Sequence, residues 1–583
     1  MRGASEGFRA KVAVEGPPKV GSRVDHMRMS AQISRRTFNL SLLALLTAGF
    51  LLRYAGFVRC QGYNGAGILD QVKAYRVALG FLAGESQAFY LAQPNFPRAG
   101  TGHLPGPLMA MFWAIPLRLG GGPEAVILML IALDTMVIGI VGVLARRMLG
   151  NVSGLWAAGF YAVAPWAVYY SIGCGNQQFL GPLAALLCLA LWSVMTRPSS
   201  RQIFWVCLLL AMMPQFHVFG LFLVPSVLVL LSFRRRELNT RWLGFALLAC
   251  LVLYAPYVVG EATHHWSNTR RLFSPSETDA ACLNVFTQPV VALSNLFNSP
   301  TSDEYPAFTF RTSTDHVRAL FADYRAFGHA AFGSFAVLAV FNLLSLGLGT
   351  LFIINLAVQC GQALAGKWTQ PRLAFEKSPA IVFTGVMIFL PLLLFLLTGH
   401  QFRSRYVIAL MPLLSLLPAM WLARPFGLER WSNTIHGCLV ATIVFDIVLS
   451  IGFFWYRQRL ITNGPYFVPT FRKLEKVRQE LIAFAGPNRR LVVDASSIPT
   501  SAPHTAEYRQ AHRIQALVDY VEIRDHYQHR APATAPVIRF TAQCVTNTVG
   551  ASELVVFAEN GIILTVPRPV GEEASASIAT SRY

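Results

Sequence analysis

Runs of about 20 apolar residues recur between residues 38 and 455, and no other feature narrows the possible folds of this chain so far. A run of that length crosses the hydrocarbon core of a bilayer as a helix. In lipid every backbone N–H and C=O must be paired within the protein, so a helix is the form these runs take. The composition fits: 54% of the 583 residues are hydrophobic and 13% are charged, against about 25% charged in a soluble protein. The deficit is spread along the chain, which excludes one anchored soluble domain. We place spans near 38–57, 124–145, 153–171, 178–195, 202–215, 218–232, 242–260, 331–357, 379–398, 405–423 and 434–455. The pair around Pro214-Gln215-Phe216-His217 is short for two spans and reads equally as one long broken helix.

The formal net charge of +20 does not point to nucleic acid, because the Lys and Arg residues sit mostly in short loops beside apolar runs. Arg146-Arg147, Arg197 with Arg201, Arg234-Arg235-Arg236, the Lys367/Arg372/Lys377 group and Arg424 with Arg430 all fall on one face, as does the basic N-terminus. That face is cytoplasmic by the positive-inside rule. The first run follows Arg35-Arg36 and lacks a small-residue cleavage site, so it is read as an uncleaved span.

The expected organisation is a disordered basic N-terminus (1–35), a transmembrane domain (36–456) and an extracytoplasmic α/β domain (457–583). The outer face receives loops 58–123 and 261–330. Within the first, Leu104 to Leu119 is too short to span and is read as an interfacial helix. Reading it as a span would invert every later loop and break the charge pattern. In the C-terminal region, Phe471, Leu474, Val477, Leu481 and Ile482 predict a helix ending at Gly486. Strands are expected at 491–493, 537–540 and 554–557, and Asn560-Gly561 before Ile562 is a hairpin signal.

Nine cysteines include no CxxC pair. Cys60, Cys174, Cys282 and Cys544 share the outer side, where a disulfide is open but its partners are not specified. Asp70, just after the first span, has the chemistry of a general base on an acceptor hydroxyl, or of a loop carboxylate or helix cap. Arg403 and Arg405 lie on the face where positive residues are disfavoured. They suit bidentate phosphate binding, or snorkelling to headgroups. Asp134 and Asp446 fall within spans and should turn inward and pair. His217, at the helix break, is open to a headgroup contact or a structural role, and His264-His265 has no metal-ligand spacing.

Four stretches resemble the membrane-embedded GT-C glycosyltransferases, nearest to the polyprenyl- or dolichyl-phosphate-sugar protein mannosyltransferase and aminoarabinose transferase group. Asp70 falls where that family keeps an acid in its first outer loop. His103-Leu104-Pro105-Gly106-Pro107-Leu108 is similar to its His-Pro-Pro-Leu stretch. Residues 144–150 with Ala164-Pro165 and Tyr169-Tyr170-Ser171 look like its second and third spans. Arg405-Tyr406 with Pro412 resembles a late helix start.

The resemblance implies a polytopic α-helical fold of about eleven spans and an integral protein of a bacterial plasma membrane. It implies a polyprenyl-phosphate sugar as donor and a glycan, lipid or protein hydroxyl as acceptor. Arg403 or Arg405, with Tyr406, His103 and His217, would bind substrate. Asp70 would deprotonate the acceptor, which attacks the anomeric carbon with inversion; a phosphate leaving group needs no second acid. Asp70 is followed by Gln71, and Gly173-Cys174-Gly175-Asn176-Gln177-Gln178 carries amides where many relatives have an acid. The acidic motif therefore supports no divalent metal, and the cofactor is unassigned. A secondary transporter would show a second broken span in a matching half, and only the Pro214 break is present. A non-catalytic assembly protein on the same scaffold is the third reading, favoured by the amides.

Overall fold

The computed structural model describes residues 33–61, 68–94, 103–198, 201–273, 351–363, 365, 375–397, 408–423, 432–463, 470–486, 489–494, 506–524, 526–527, 537–544, 553–559 and 562–567. The expected disordered N-terminus, most of the loop 261–330, the start of the span 331–357 and the Asn560-Gly561 turn lie outside these residues.

Four helices among the described residues, Arg35–Cys60, Pro123–Leu149, Gln177–Thr196 and Thr240–Thr263, are long and apolar enough to cross a membrane, and further apolar helices are shorter. The first, α1 (Arg35–Cys60), starts where the Ser34 hydroxyl accepts the Thr37 N–H. After it come α2 (Ile68–Ala83), β1 (Leu91–Pro94), β2 (His103–Pro105) and α3 (Leu108–Arg118). The expected helix from Leu104 therefore begins four residues late. Pro105 and Pro107 flank Gly106 at φ 88°, a backbone that cannot join a right-handed helix, so 103–105 pairs with β1 instead.

The bundle centre is α4 (Pro123–Leu149) against α5 (Asn151–Val163) and α6 (Pro165–Ser171). The single span expected at 153–171 is two helices, because Pro165 breaks the ladder at Ala164. α4 and α5 cross at Gly142 and Gly154, where a Cβ on Gly154 would lie 2.7 Å from the Gly142 carbonyl. α1 packs across both. The buried Arg53 of α1 donates through Nε to Asp134 (2.7 Å) and through its Nη atoms to the carbonyls of Gly49, Ala162 and Tyr161. Tyr161 completes the cluster, its hydroxyl donating to Asp134 at 2.6 Å. Asp134 thus pairs inward as expected. Asp446, also buried, has no hydrogen-bond or ion-pair partner among the described residues.

α7 (Leu180–Thr196), α8 (Gln202–Phe216), α9 (Leu223–Ser232) and α10 (Thr240–Thr263) follow, with the short α11 (Ser267–Phe273) after them. The Pro214 break resolves into α8, a 3-10 turn over Val218–Phe222, and α9. Beyond these lie α12 (Leu351–Ala363), α13 (Pro379–Leu397), α14 (Met411–Leu414), α15 (Leu416–Ala423) and α16 (Ser432–Asn463). The last runs well past its expected end near 455.

The C-terminal residues form an α/β unit of α17 (Phe471–Ala485), β3 (Arg490–Asp494), α18 (Ala506–Arg524), β4 (Val537–Cys544), β5 (Glu553–Glu559) and β6 (Ile562–Pro567). α17 is capped by Thr470 and stops at Gly486, φ 87°, as its periodicity predicts. The sheet order is β3-β4-β6-β5. β3 and β4 are parallel and joined through α18, whereas β5 and β6 pair antiparallel with Glu559 opposite Ile562, leaving two residues for the turn. The sequence reading did not anticipate α18.

Candidate active site

Asp70 stands in the first turn of α2, next to the end of the first span. Its side chain lies outside the described residues, as do Arg403, Arg405 and Tyr406. Its neighbour Gln71 is 1% exposed and turns into the protein. The Gln71 side-chain amide oxygen, Oε1, accepts from the Cys174 N–H (3.4 Å) and thiol (3.2 Å). Through Gln71, α2 is thereby tied to the amide-rich loop after α6, and these are the two regions where the sequence departs from the GT-C pattern.

That loop is folded inward. Asn176, Gln177 and Gln178 are all buried. The Gln177 and Gln178 amides close over Gly175, where a Cβ would come 2.7 Å from the Gln178 oxygen. Both polar atoms of Gln178 and the Gln71 Nε2 are buried with no hydrogen-bond partner among the described residues. Leaving such groups unpaired costs about 1–3 kcal/mol each, so they are expected to meet water or ligand. Gln178 opens on a cavity of about 10 Å³ with Asp134, Tyr161, Tyr170, Ser171 and Ile408, room for about one water. Ile408 directly follows the 401–407 segment that holds the two candidate arginines.

His103 and His217 both organise backbone, for His217 the structural one of its two sequence readings. The backbone of His103 pairs with the Asn268 side chain, its N–H donating to Oδ1 (2.5 Å) and its carbonyl accepting from Nδ2 (3.0 Å), which pins β2 to α11. His217 is 6% exposed, and its Nδ1 accepts the Phe219 N–H at 3.1 Å, capping the 3-10 turn. Gly106 sits against the Gln215 amide, whose oxygen accepts the Leu108 N–H at 3.4 Å. The His-Leu-Pro-Gly-Pro-Leu stretch is in this way locked to the end of α8. A further link joins the Tyr90 hydroxyl to the His264 ring at 3.3 Å, and the Glu261 carboxylate accepts from the Thr269 N–H and hydroxyl.

Cys60 and Cys174 are both buried, Cys282 and the Cys544 side chain lie outside the described residues, and no disulfide occurs among the described ones. No three His, Cys, Asp or Glu side chains converge as a metal site among the described residues. Sequence reasoning passed over Gln71, which the family pattern marks only as a missing acid. It also passed over Arg53, although a lone arginine inside an apolar run was a visible signal.

Residues 104–259 match the family of dolichyl-phosphate-mannose-protein mannosyltransferases. No curated protein matches the chain. The fold is similar to that of ArnT from Cupriavidus metallidurans bound to undecaprenyl phosphate, at 11% identity, with 91% of this chain and 98% of that chain covered and a TM-score of 0.51. The apo form of the same ArnT aligns at 12% identity over 90% and 97% of the two chains, with a TM-score of 0.49. The resemblance read from the sequence thus holds at the level of fold: this chain shares its overall fold with ArnT, and residues 104–259 carry the match to the mannosyltransferase family.

Proposed function

We propose that this protein transfers a sugar from a polyprenyl-phosphate donor to an acceptor hydroxyl at the outer face of a bacterial plasma membrane. The observation that carries the reading is the placement of α2. It bears an acid in its first turn and is tied through the next residue, Gln71, to an inward-folded loop whose Gln178 amide is unpaired among the described residues, in a chain whose residues 104–259 match a lipid-phosphate-sugar transferase family. Asp70 takes the proton of the acceptor hydroxyl as that oxygen attacks the anomeric carbon with inversion, and the lipid phosphate departs as an anion. Arg405, with Arg403 and Tyr406, holds that phosphate. His103 and His217 support the reading through the backbone they organise, β2 and the turn after α8. The basic-loop pattern puts the N-terminus in the cytoplasm and the C-terminal α/β unit outside.

Purified protein in nanodiscs, offered radiolabelled polyprenyl-phosphate sugars, tests the proposal. Asp70→Asn keeps shape and removes the base, so turnover should fall at least about a hundredfold while expression holds. Equal transfer by that variant would eliminate Asp70. A neutral loop at 173–178 favours one rival, a non-catalytic assembly protein, which predicts no transfer from any donor.

A further inference from the structure

The C-terminal α/β unit is attached to the helix that carries Asp70, and the attachment is polar as well as apolar. Tyr75, fully buried in α2, stacks on Tyr520 of α18 with ring centres 6.2 Å apart, and meets Phe471 of α17 and Trp113 of α3. Its hydroxyl accepts from Arg524 Nη1 at 3.0 Å. On its other edge Arg524 Nε lies 3.4 Å from the Glu475 carboxylate. Glu475 also accepts from Arg478 (2.8 and 3.1 Å), from Gln479 (2.7 Å) and from the Tyr520 hydroxyl (2.9 Å). A second attachment lies just past the end of α2, where the Tyr527 hydroxyl donates to Glu85. Held at one point a helix can swivel; held near residue 75 and again at 85 it cannot.

Packing alone would be satisfied by a phenylalanine at 75. Tyrosine instead places a hydroxyl in the joint, and an arginine spans from it to a carboxylate whose other lone pairs are already filled. Removing Arg524 does not strand that carboxylate, because Arg478 stays on it, so the loss falls on the joint between the two units. Tyr75 is five residues from Asp70, about 7.5 Å along the helix axis. A small rotation there carries the acid away from its substrate, and displacements of about 1 Å are enough to slow catalysis strongly.

We propose that the C-terminal α/β unit positions the Asp70 helix through the Tyr75–Arg524–Glu475 relay, which makes Arg524 a positioning residue for transfer; this rests on the reading of Asp70 as the base. Hydrogen–deuterium exchange on the full chain in nanodiscs reads the relay directly. Arg524→Leu should speed exchange in residues 68–83 about tenfold while the spans stay protected. Tyr75→Phe should give a smaller rise at the same place. Arg524→Lys should restore protection only in part, since an ammonium reaches the hydroxyl or the carboxylate but does not bridge them. Lys476→Ala, on the exposed face of α17, should change nothing.

In transfer assays with polyprenyl-phosphate mannose, Arg524→Leu should lower kcat about tenfold with an unchanged KM for the donor. Unaltered exchange in 68–83 for both Arg524→Leu and Tyr75→Phe would overturn the proposal. So would a rise spread over every span in the first variant with none in the second. A wild-type protein that transfers no sugar sinks the transferase reading, and the exchange data then still decide whether the relay holds α2.

Discussion

Replacing Asp134 by Leu should destabilise the bundle far more than replacing Asp134 and Arg53 together. The Arg53 side chain is 0% exposed and reaches Asp134 at 2.7 Å, and Asp134 also accepts from Tyr161 at 2.6 Å. Taking one partner from a buried ion pair costs about 3–5 kcal/mol, because the other charge stays desolvated. Arg53 would keep its bonds to the Gly49 and Ala162 carbonyls, which are dipoles and not a countercharge, so we expect the lower half of that range, about 3–4 kcal/mol. In Arg53→Met with Asp134→Leu the charges go together and apolar chains fill the gap, so the remaining cost is the Tyr161 hydroxyl left without its acceptor, about 1–2 kcal/mol.

The coupling from the double-mutant cycle should therefore exceed about 2 kcal/mol, well above the roughly 0.6 kcal/mol typical of a neutral interhelical hydrogen bond in a membrane protein. Reversible unfolding in mixed micelles with increasing dodecyl sulfate measures all four corners. A coupling below about 0.5 kcal/mol would show that Arg53 and Asp134 are independent, and the account of the bundle centre would be wrong.

Three further outcomes are expected. Arg405→Lys should bind polyprenyl phosphate almost as weakly as Arg405→Ala if the contact is bidentate, whereas wild-type affinity in the alanine variant would remove Arg405 from the donor site. Gly106→Ala, at φ 88° and against Gln215, should cost about 2 kcal/mol or more; adding Gln215→Ala should recover only the steric part, and full recovery would show that the backbone is unstrained. Burial raises the Glu475 carboxyl, but hydrogen bonds from Arg478 and Gln479 and the charges of Arg524 and Arg478 outweigh it and hold its pKa at about 2, below the ordinary 4.5. Because the folded value is the lower one, this stabilisation is present above pH 4.5 and is lost as the pH falls toward 2. Thermal melts of Glu475→Gln should thus be lower than wild type at pH 7 and converge with it near pH 2, and parallel curves would refute the assignment.

Local signals were read correctly wherever one physical cause dominated. The long apolar runs gave α1, α4 and α10 to within a few residues, since burial in lipid overrides finer preferences. The Asn-Gly signal gave the β5–β6 pairing, because few other turns fit a two-residue connection. The misses share another character. α18 is built on Ile514, Leu517, Tyr520 and Val521 among many polar residues, and its apolar face is meaningful only against a sheet that the sequence does not assemble. Gln71 looks like an absent acid until the loop with Cys174 is brought beside it. Arg53 and Asp134 were 81 positions apart, too far for any local pattern to join them. Asp446 was expected to find a partner on the same argument that succeeded for Asp134, and it has none among the described residues.

The Arg524–Tyr75 bond closes a loop of 449 residues, and that has a consequence for biogenesis. At about 5–20 residues per second, translation needs roughly 20–90 s between delivering Tyr75 and delivering Arg524. Over that interval α2 is already made and its docking surface on α18 does not yet exist, so Tyr75 and its neighbours wait undocked at the membrane. The joint is therefore a late one to form, and chains truncated before residue 506 should insert their spans yet leave α2 open to proteases. Limited proteolysis of stalled or truncated chains should cut within 68–83, and the cut should vanish once the final helix is supplied.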